Sequence, residues 1–158
     1  MMAKTKMLFI VVLAVLLSAA LVVAAGDKSF KAKLTGMDQV PPVKTEAKGI
    51  AHFKVSADGK QMTYKLTVKN IMNVTAAHIH EGSMGKNGPV VAGLFSGPKK
   101  EGKFSGTLAE GTITDKDLKG SLSGKSLDDL VKMIGTGGAY VNVHTDQNPG
   151  GEIRGQIK

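Results

Sequence analysis

Two of the chain's four histidines, His78 and His80, stand one residue apart within residues 77–82. In an extended strand alternate side chains point to the same face, so both imidazoles are expected on one side and Ile79 on the other. Neutral imidazole is the commonest protein ligand for copper, zinc and related metals. The spacing therefore predicts part of a metal site, whose remaining ligands must come from elsewhere in the chain.

The third candidate ligand is His144. It shares one face of the strand predicted at residues 138–145 with Tyr140 and Asn142. Three nitrogens that meet at a sheet edge would leave a position open for water or a fourth ligand. In the alternative interpretation the histidines are structural and bond to the glycine-rich segment 82–89 and to a backbone carbonyl. Both interpretations remain open at this stage.

Three polar residues near the histidines could orient them. Glu81, Asn142 and Glu152 each offer an oxygen that can accept the second ring N–H of a metal-bound imidazole. His52 has no local partner, and we expect it to be an ordinary residue on a sheet face. The chain has no cysteine and no serine in a Gly-x-Ser-x-Gly turn, so thiolate ligands and disulfides are excluded and no catalytic residue is predicted.

Short alternating segments between turns must position these side chains. Phe30, Ala32 and Leu34 alternate with polar residues, residues 49–56 alternate again, and Asp58-Gly59 leads into a third alternating segment at 61–68. We expect about eight or nine short strands. The predicted fold is all-β, an antiparallel Greek-key sandwich or barrel.

One short helix is predicted after Ser126. Asp128 and Asp129 suit its positive N-terminal end, and Leu127, Leu130, Val131 and Ile134 form its apolar stripe. The segment 97–106 is expected to be a loop, and an irregular region is expected after it.

The N-terminus has the order of a secretory signal peptide. Lys4 and Lys6 precede an apolar run from Met7 to Ala25, which ends in small residues. Residues 1–25 are therefore predicted to be a signal helix that is cleaved near Ala24 or Ala25, or an uncleaved anchor formed by residues 7–25. Either outcome places one domain, residues 28–158, outside the cytoplasm, secreted or periplasmic, with membrane contact only through the N-terminal segment.

The formal net charge of the 158-residue chain is +8, but its lysines are scattered. Arg154 is the only arginine, aromatic residues make up 4%, and there is no basic cluster of the nucleic-acid-binding type. The expected partner is therefore extracellular or in the cell envelope, and no nucleic acid is expected.

Three segments together resemble the CHRD domain, the module named after chordin. They are residues 34–43 with Val40-Pro41-Pro42-Val43, residues 77–91, and residues 140–157. The resemblance covers the chain from about Phe30 to Lys158. It implies an extracellular β-rich module and brings no settled biochemical activity with it.

A weaker resemblance is to the copper, zinc superoxide dismutases. Five segments follow the order of those proteins: residues 49–53, 66–68, 78–81, 143–144 and 150–151. It implies that His78, His80 and His144 occupy copper positions, with copper favoured and zinc second. The departures are that residues 82–89 contain no bridging histidine, that no zinc-ligand set or cysteine is present, and that Glu152 stands where an arginine would guide superoxide.

Three functions follow as hypotheses. The first is an exported, non-enzymatic CHRD binding module with a histidine metal site. The second is a dismutase-like copper redox enzyme, and the third is a metal-free extracellular interaction module.

Overall fold

The computed structural model describes residues 28–158, so the predicted signal or anchor segment lies outside the described residues. In chain order the elements are β1 (Ser29–Thr35), β2 (Lys48–Val55), β3 (Met62–Glu81), β4 (Val90–Phe95), β5 (Lys100–Ile113), α1 (Leu127–Gly135), β6 (Ala139–Thr145) and β7 (Ile153–Gln156). Short 3₁₀ turns occur at Gly36–Asp38, Asp115–Asp117 and Gly120–Leu122.

Five of these strands form a closed antiparallel barrel. β2 pairs with β1, β1 with β7, β7 with β6, β6 with β3, and β3 again with β2. β4 and β5 add to β3 outside this closed path. The predicted class, an all-β antiparallel barrel with one short helix, is confirmed. Within the barrel, β1, β2 and β3 follow one another in the chain, as do β6 and β7, whereas β4, β5 and α1 lie between β3 and β6.

The longest strand, β3, carries His78 and His80. Within β3, Asn70 and Asn73 are of a residue type common in turns, and both adopt positive φ, 56° and 50°. They bend one continuous strand instead of ending it. The first half of β3 pairs with β2 and β5, and the second half pairs with β6 and β4. The histidine pair, in the second half of β3, therefore lies beside β6.

The barrel interior contains the apolar half of each alternating strand. In β2, for example, Ala51, Phe53 and Val55 are at most 5% exposed, whereas the residues between them are exposed. Burial of the larger of these side chains stabilises the folded state by about 1.5–3 kcal/mol each. The two-residue period therefore fixes which face of the strand points inward. Ile79 is fully buried in this core, which sends its neighbours His78 and His80 to the outer face.

The predicted helix is also confirmed. Ser126 precedes α1, and the carboxylate of Asp129 accepts hydrogen bonds from the Ser126 N–H and hydroxyl. The four predicted stripe residues, Leu127, Leu130, Val131 and Ile134, are all buried. The helix packs beside β6 and closes one side of the core.

The expectation of a loop at residues 97–106 and irregular structure beyond was wrong. β5 runs from Lys100 to Ile113 along the first half of β3. Most of its residues stay partly or fully exposed, since β5 lies outside the barrel. A strand in that position carries little of the apolar alternation by which strands are recognised.

Within residues 28–158, no helix has the length and apolar character needed to cross a membrane.

Candidate metal centre

The outer face of β6 is covered by loops. The inward residues Ala139, Val141 and Val143 are buried in the core, yet the outward residues Tyr140 and Asn142 are also at most 4% exposed. The segments 82–89 and 146–151 make hydrogen bonds to side chains on this face. A second buried layer therefore lies outside the barrel, and it contains the candidate site.

Strand register brings the three histidines together on this face. His80 lies opposite Tyr140, His78 opposite Asn142, and His144 opposite Ala76, two residues before His78. The outward positions of β3 and β6 thus form a small patch of imidazoles. His80 is 9% exposed, whereas His78 and His144 are half-buried and reach solvent.

The three imidazoles share one volume, as the spacing predicted. One ligand atom from each ring lies within 4.8 Å of the other two, and this is the one such group of histidine and acidic side chains found in residues 28–158. His78 Nδ1 is 3.2 Å from His144 Nε2. Two nitrogens bound to one tetrahedral zinc or copper ion are about 3.3 Å apart, so this pair already has the spacing of metal ligands. The widest pair would have to close by at most about 1.5 Å.

Hydrogen bonds select which nitrogen each ring can offer. His80 Nδ1 donates to the Gly88 carbonyl and His144 Nδ1 donates to the Pro149 carbonyl, both at 2.9 Å. A neutral imidazole that donates through Nδ1 has its lone pair on Nε2. The Nε2 atoms of these two rings therefore carry the lone pairs that a metal could use, and in the metal-free protein that of His144 accepts the N–H of His78 Nδ1.

One of these nitrogens lacks any protein partner. His80 Nε2 is buried, and it is the one buried side-chain nitrogen or oxygen in the described chain without a hydrogen bond. Leaving a buried acceptor unsatisfied costs about 1–3 kcal/mol. A metal ion between the rings would satisfy it.

Burial keeps the three rings neutral. Desolvation, followed by the charges of His144, His80 and Lys119, lowers the pKa of His78 from 6.5 to about 4. Desolvation also lowers the pKa of His80 and of His144, although their bonds to Gly88 and Pro149 act in the opposite direction. The neutral form is the one that binds metals, so near pH 7 little proton competition is expected.

The side chains of Tyr140 and Arg154 form a stack against the ring of His80. The Tyr140 ring lies on the His80 ring, with centroids 5.1 Å apart and planes 14° apart, and the Arg154 guanidinium lies 3.4 Å from the centre of the Tyr140 ring. The Tyr140 hydroxyl accepts the Gly88 N–H at 3.2 Å. Tyr140 therefore fixes both the ring of His80 and the residue whose carbonyl orients it.

Arg154 secures the loop itself. Its guanidinium donates to the carbonyls of Ser83 and Lys86 and to Asn87 Oδ1, at 2.7–3.2 Å. The loop requires glycine at position 88, because a Cβ there would lie 1.9 Å from the Glu81 carbonyl oxygen. The segment 82–89 is thus anchored on the barrel at several points close to His80.

The three polar residues proposed to orient the histidines bond elsewhere. The Glu81 carboxylate accepts the Ser121 hydroxyl, and Asn142 bonds to Gln39 and to the Gly150 carbonyl. Glu152 accepts hydrogen bonds from Thr45, Thr145 and Asn148. Asn142 and Glu152 therefore support the loop that carries Pro149 rather than a ring nitrogen. Their effect on a bound metal stays a prediction.

The direct partners of the rings are backbone carbonyls, which the sequence could not single out because every residue has one. The one sequence feature that could have indicated Gly88 is that segment 82–89 directly follows the histidine pair. His52 lies apart from the cluster, exposed on β2 opposite Lys31 and Lys65.

Fold and site together define a β-barrel module whose outer face carries a cluster of three histidines able to hold a metal ion. Residues 30–157 match the family model of the CHRD domain, and the chain belongs to this family. Comparisons with curated proteins and with solved structures gave no match. The likeness to copper, zinc superoxide dismutases therefore rests on the order of residues alone.

Proposed function

We propose that this protein is an exported, non-enzymatic CHRD binding module that holds one metal ion, copper before zinc, through His78, His80 and His144. The observation that carries the proposal is the buried, unpaired Nε2 of His80, whose ring centroid lies 5.8 Å from that of His78 and 5.7 Å from that of His144. A metal-free protein would pair His78 with His144 through their 3.2 Å contact, but it would leave His80 Nε2 unsatisfied.

Copper is preferred over zinc on two grounds. Sites built from nitrogen ligands bind Cu²⁺ more tightly than Zn²⁺ in the usual order of divalent metals. The order of His78, His80 and His144 also resembles that of the copper ligands in the dismutases. The partly exposed edges of His78 and His144 would let water complete the coordination sphere.

A binding role is favoured over a dismutase role by the neighbours of the site. The one arginine, Arg154, stacks on Tyr140 and lines a cleft that contains none of the three histidines, so it does not stand at the metal position to attract superoxide. Glu152 is buried against Thr45 and Thr145 and supplies no positive charge either. The accessible cation whose charge acts on His78 is Lys119, so electrostatic guidance of an anion would fall to a single lysine rather than to the arginine of a dismutase.

Export is proposed from the order of Lys4, Lys6 and the apolar run that follows. A module of this kind would store a metal outside the cytoplasm or use it to stabilise a surface for an extracellular or envelope partner. N-terminal sequencing of the exported protein tests cleavage near Ala24 or Ala25.

Metal titration tests the proposed site. The purified protein, stripped with a chelator, is expected to bind one Cu²⁺ per chain at pH 7.5, and His78→Ala, His80→Ala and His144→Ala should each remove stoichiometric binding. His52→Ala is the matched control, because it deletes an exposed histidine outside the cluster. Unchanged binding in the three cluster variants would overturn the site, and superoxide turnover above that of free Cu²⁺ would favour the enzyme.

A further inference from the structure

A separate cleft of about 390 Å³ lies beside Arg154. None of the three histidines lines it. The residues that matter are four cationic side chains, one carboxylate and one amide: Lys31, Lys33, Lys158, Arg154, Asp38 and Gln156. Its volume is within the range of small-molecule sites, about 300–1,000 Å³.

The charges around this cleft are strongly unbalanced. Lys31 and Lys33 project from the outer face of β1, while Lys158 adjoins them through paired main-chain hydrogen bonds with Lys31. Within residues 28–158, none of the three lysines has a carboxylate within 4.0 Å. Asp38 is the one acidic side chain in the lining, and its carboxylate accepts the Thr35 hydroxyl.

Arg154 is the unusual member of the lining. Only 2% of it is exposed, and a buried cation is normally paired with an anion because desolvation is costly. Its hydrogen-bond acceptors, Asn87 Oδ1 and the carbonyls of Ser83 and Lys86, are all neutral, and the charge of Asp38 acts on it without a hydrogen bond. These bonds use three of its five N–H donors, and the described residues supply no acceptor for the other two. The guanidinium thus has both charge and donors to offer at the wall of the cleft.

We propose that this cleft binds a small organic or inorganic oxyanion that carries two negative charges, either a phosphate monoester or a dicarboxylate. The planar guanidinium of Arg154 offers its remaining donors to the oxygens, while Lys31, Lys33 and Lys158 supply mobile point charges around them. The proposal is independent of the metal site, since it uses none of the histidines.

Calorimetric titration tests the cleft at pH 7.5 and low salt, with inorganic phosphate and succinate as separate probes. At least one is expected to bind with a dissociation constant below about 1 mM, and the stronger probe identifies the class of ligand. Lys31→Gln/Lys33→Gln should weaken binding roughly tenfold or more, because it removes two charges from the cleft. Both positions are exposed, so the fold should be unaffected, which circular dichroism checks.

The matched control is Lys60→Gln/Lys103→Gln, which lowers the net charge equally at two exposed positions outside the lining. It should change affinity less than about twofold. His78→Ala, which removes a proposed metal ligand, should leave anion binding unchanged, so failure of one site is distinguishable from failure of the other. If neither inorganic phosphate nor succinate binds at up to about 10 mM, or if the two double lysine variants lose affinity equally, the proposal is overturned.

Discussion

Acidification should destabilise the metal-free protein between pH 6.5 and about 4, and His78 should be the main cause. Its pKa is lowered to about 4 by burial in the folded state, against 6.5 when exposed. Between these two pKa values the unfolded chain binds a proton at His78 that the folded chain does not bind. The stabilising contribution is therefore complete above pH 6.5 and is lost as the pH falls towards 4.

The size of the effect follows from linkage. For one group whose pKa falls from 6.5 to about 4, the loss between pH 7.5 and 4.5 is at most ~2.5 kcal/mol. Because His78 is only half-buried, solvent screening reduces this value, and we expect about 1–2.5 kcal/mol. The lowered pKa values of His80 and His144 act in the same direction. Hydrogen-bonded carboxylates such as Asp117 titrate below their ordinary value of 3.8, outside this window.

Urea unfolding followed by circular dichroism, with chelator present, measures this loss. His78→Gln removes the titrating ring and should make the pH profile clearly shallower, whereas His52→Gln, at an exposed position, should leave it unchanged. A free energy of unfolding that is constant between pH 6.5 and 4.5 would refute the reasoning. So would a His52→Gln profile as shallow as that of His78→Gln.

Three further changes probe the supports of the site and the core. Gly88→Ala should weaken copper binding about 10–100-fold, since the new methyl group displaces the Gly88 carbonyl that orients His80. Titration of the variant with Cu²⁺ measures this, and an unchanged affinity would contradict it. Tyr140→Phe should cost about 1 kcal/mol of unfolding free energy by leaving the Gly88 N–H without its acceptor, while retaining the stack on His80; no loss in urea unfolding would contradict this role. Leu130→Ala should cost about 2–5 kcal/mol of unfolding free energy, because Leu130 is a fully buried residue of α1, yet the folded variant should still bind one Cu²⁺. A loss below about 1 kcal/mol in urea unfolding would show that α1 adds little to the core.

Much of the fold could be predicted because alternation and burial are coupled. In β2 each buried residue follows an exposed one, and the stripe of α1 has the spacing of one helix face. The bend in β3 could not be predicted in this way. Asn70 and Asn73 have the composition of a turn, and only pairing with β2, β5 and β6 shows that the strand continues through them.

The candidate site was predictable to a similar extent. The period of a strand placed His78 and His80 together, and the same argument placed His144 beside Tyr140. The hydrogen bonds that prepare the rings were not predictable, because they come from the carbonyls of Gly88 and Pro149. Nor could alternation show that loops would bury the outer face of β6, since those loops contain few apolar residues.

The most direct test of the account is to count the imidazole nitrogens around bound copper. Pulsed electron paramagnetic resonance and X-ray absorption of the Cu²⁺-loaded protein should detect three imidazoles, with nitrogens at about 2.0 Å from the metal. Replacing any one of His78, His80 or His144 should reduce that count or abolish loading, whereas His52→Ala should not. A spectrum unchanged by the three cluster substitutions would contradict the proposed centre.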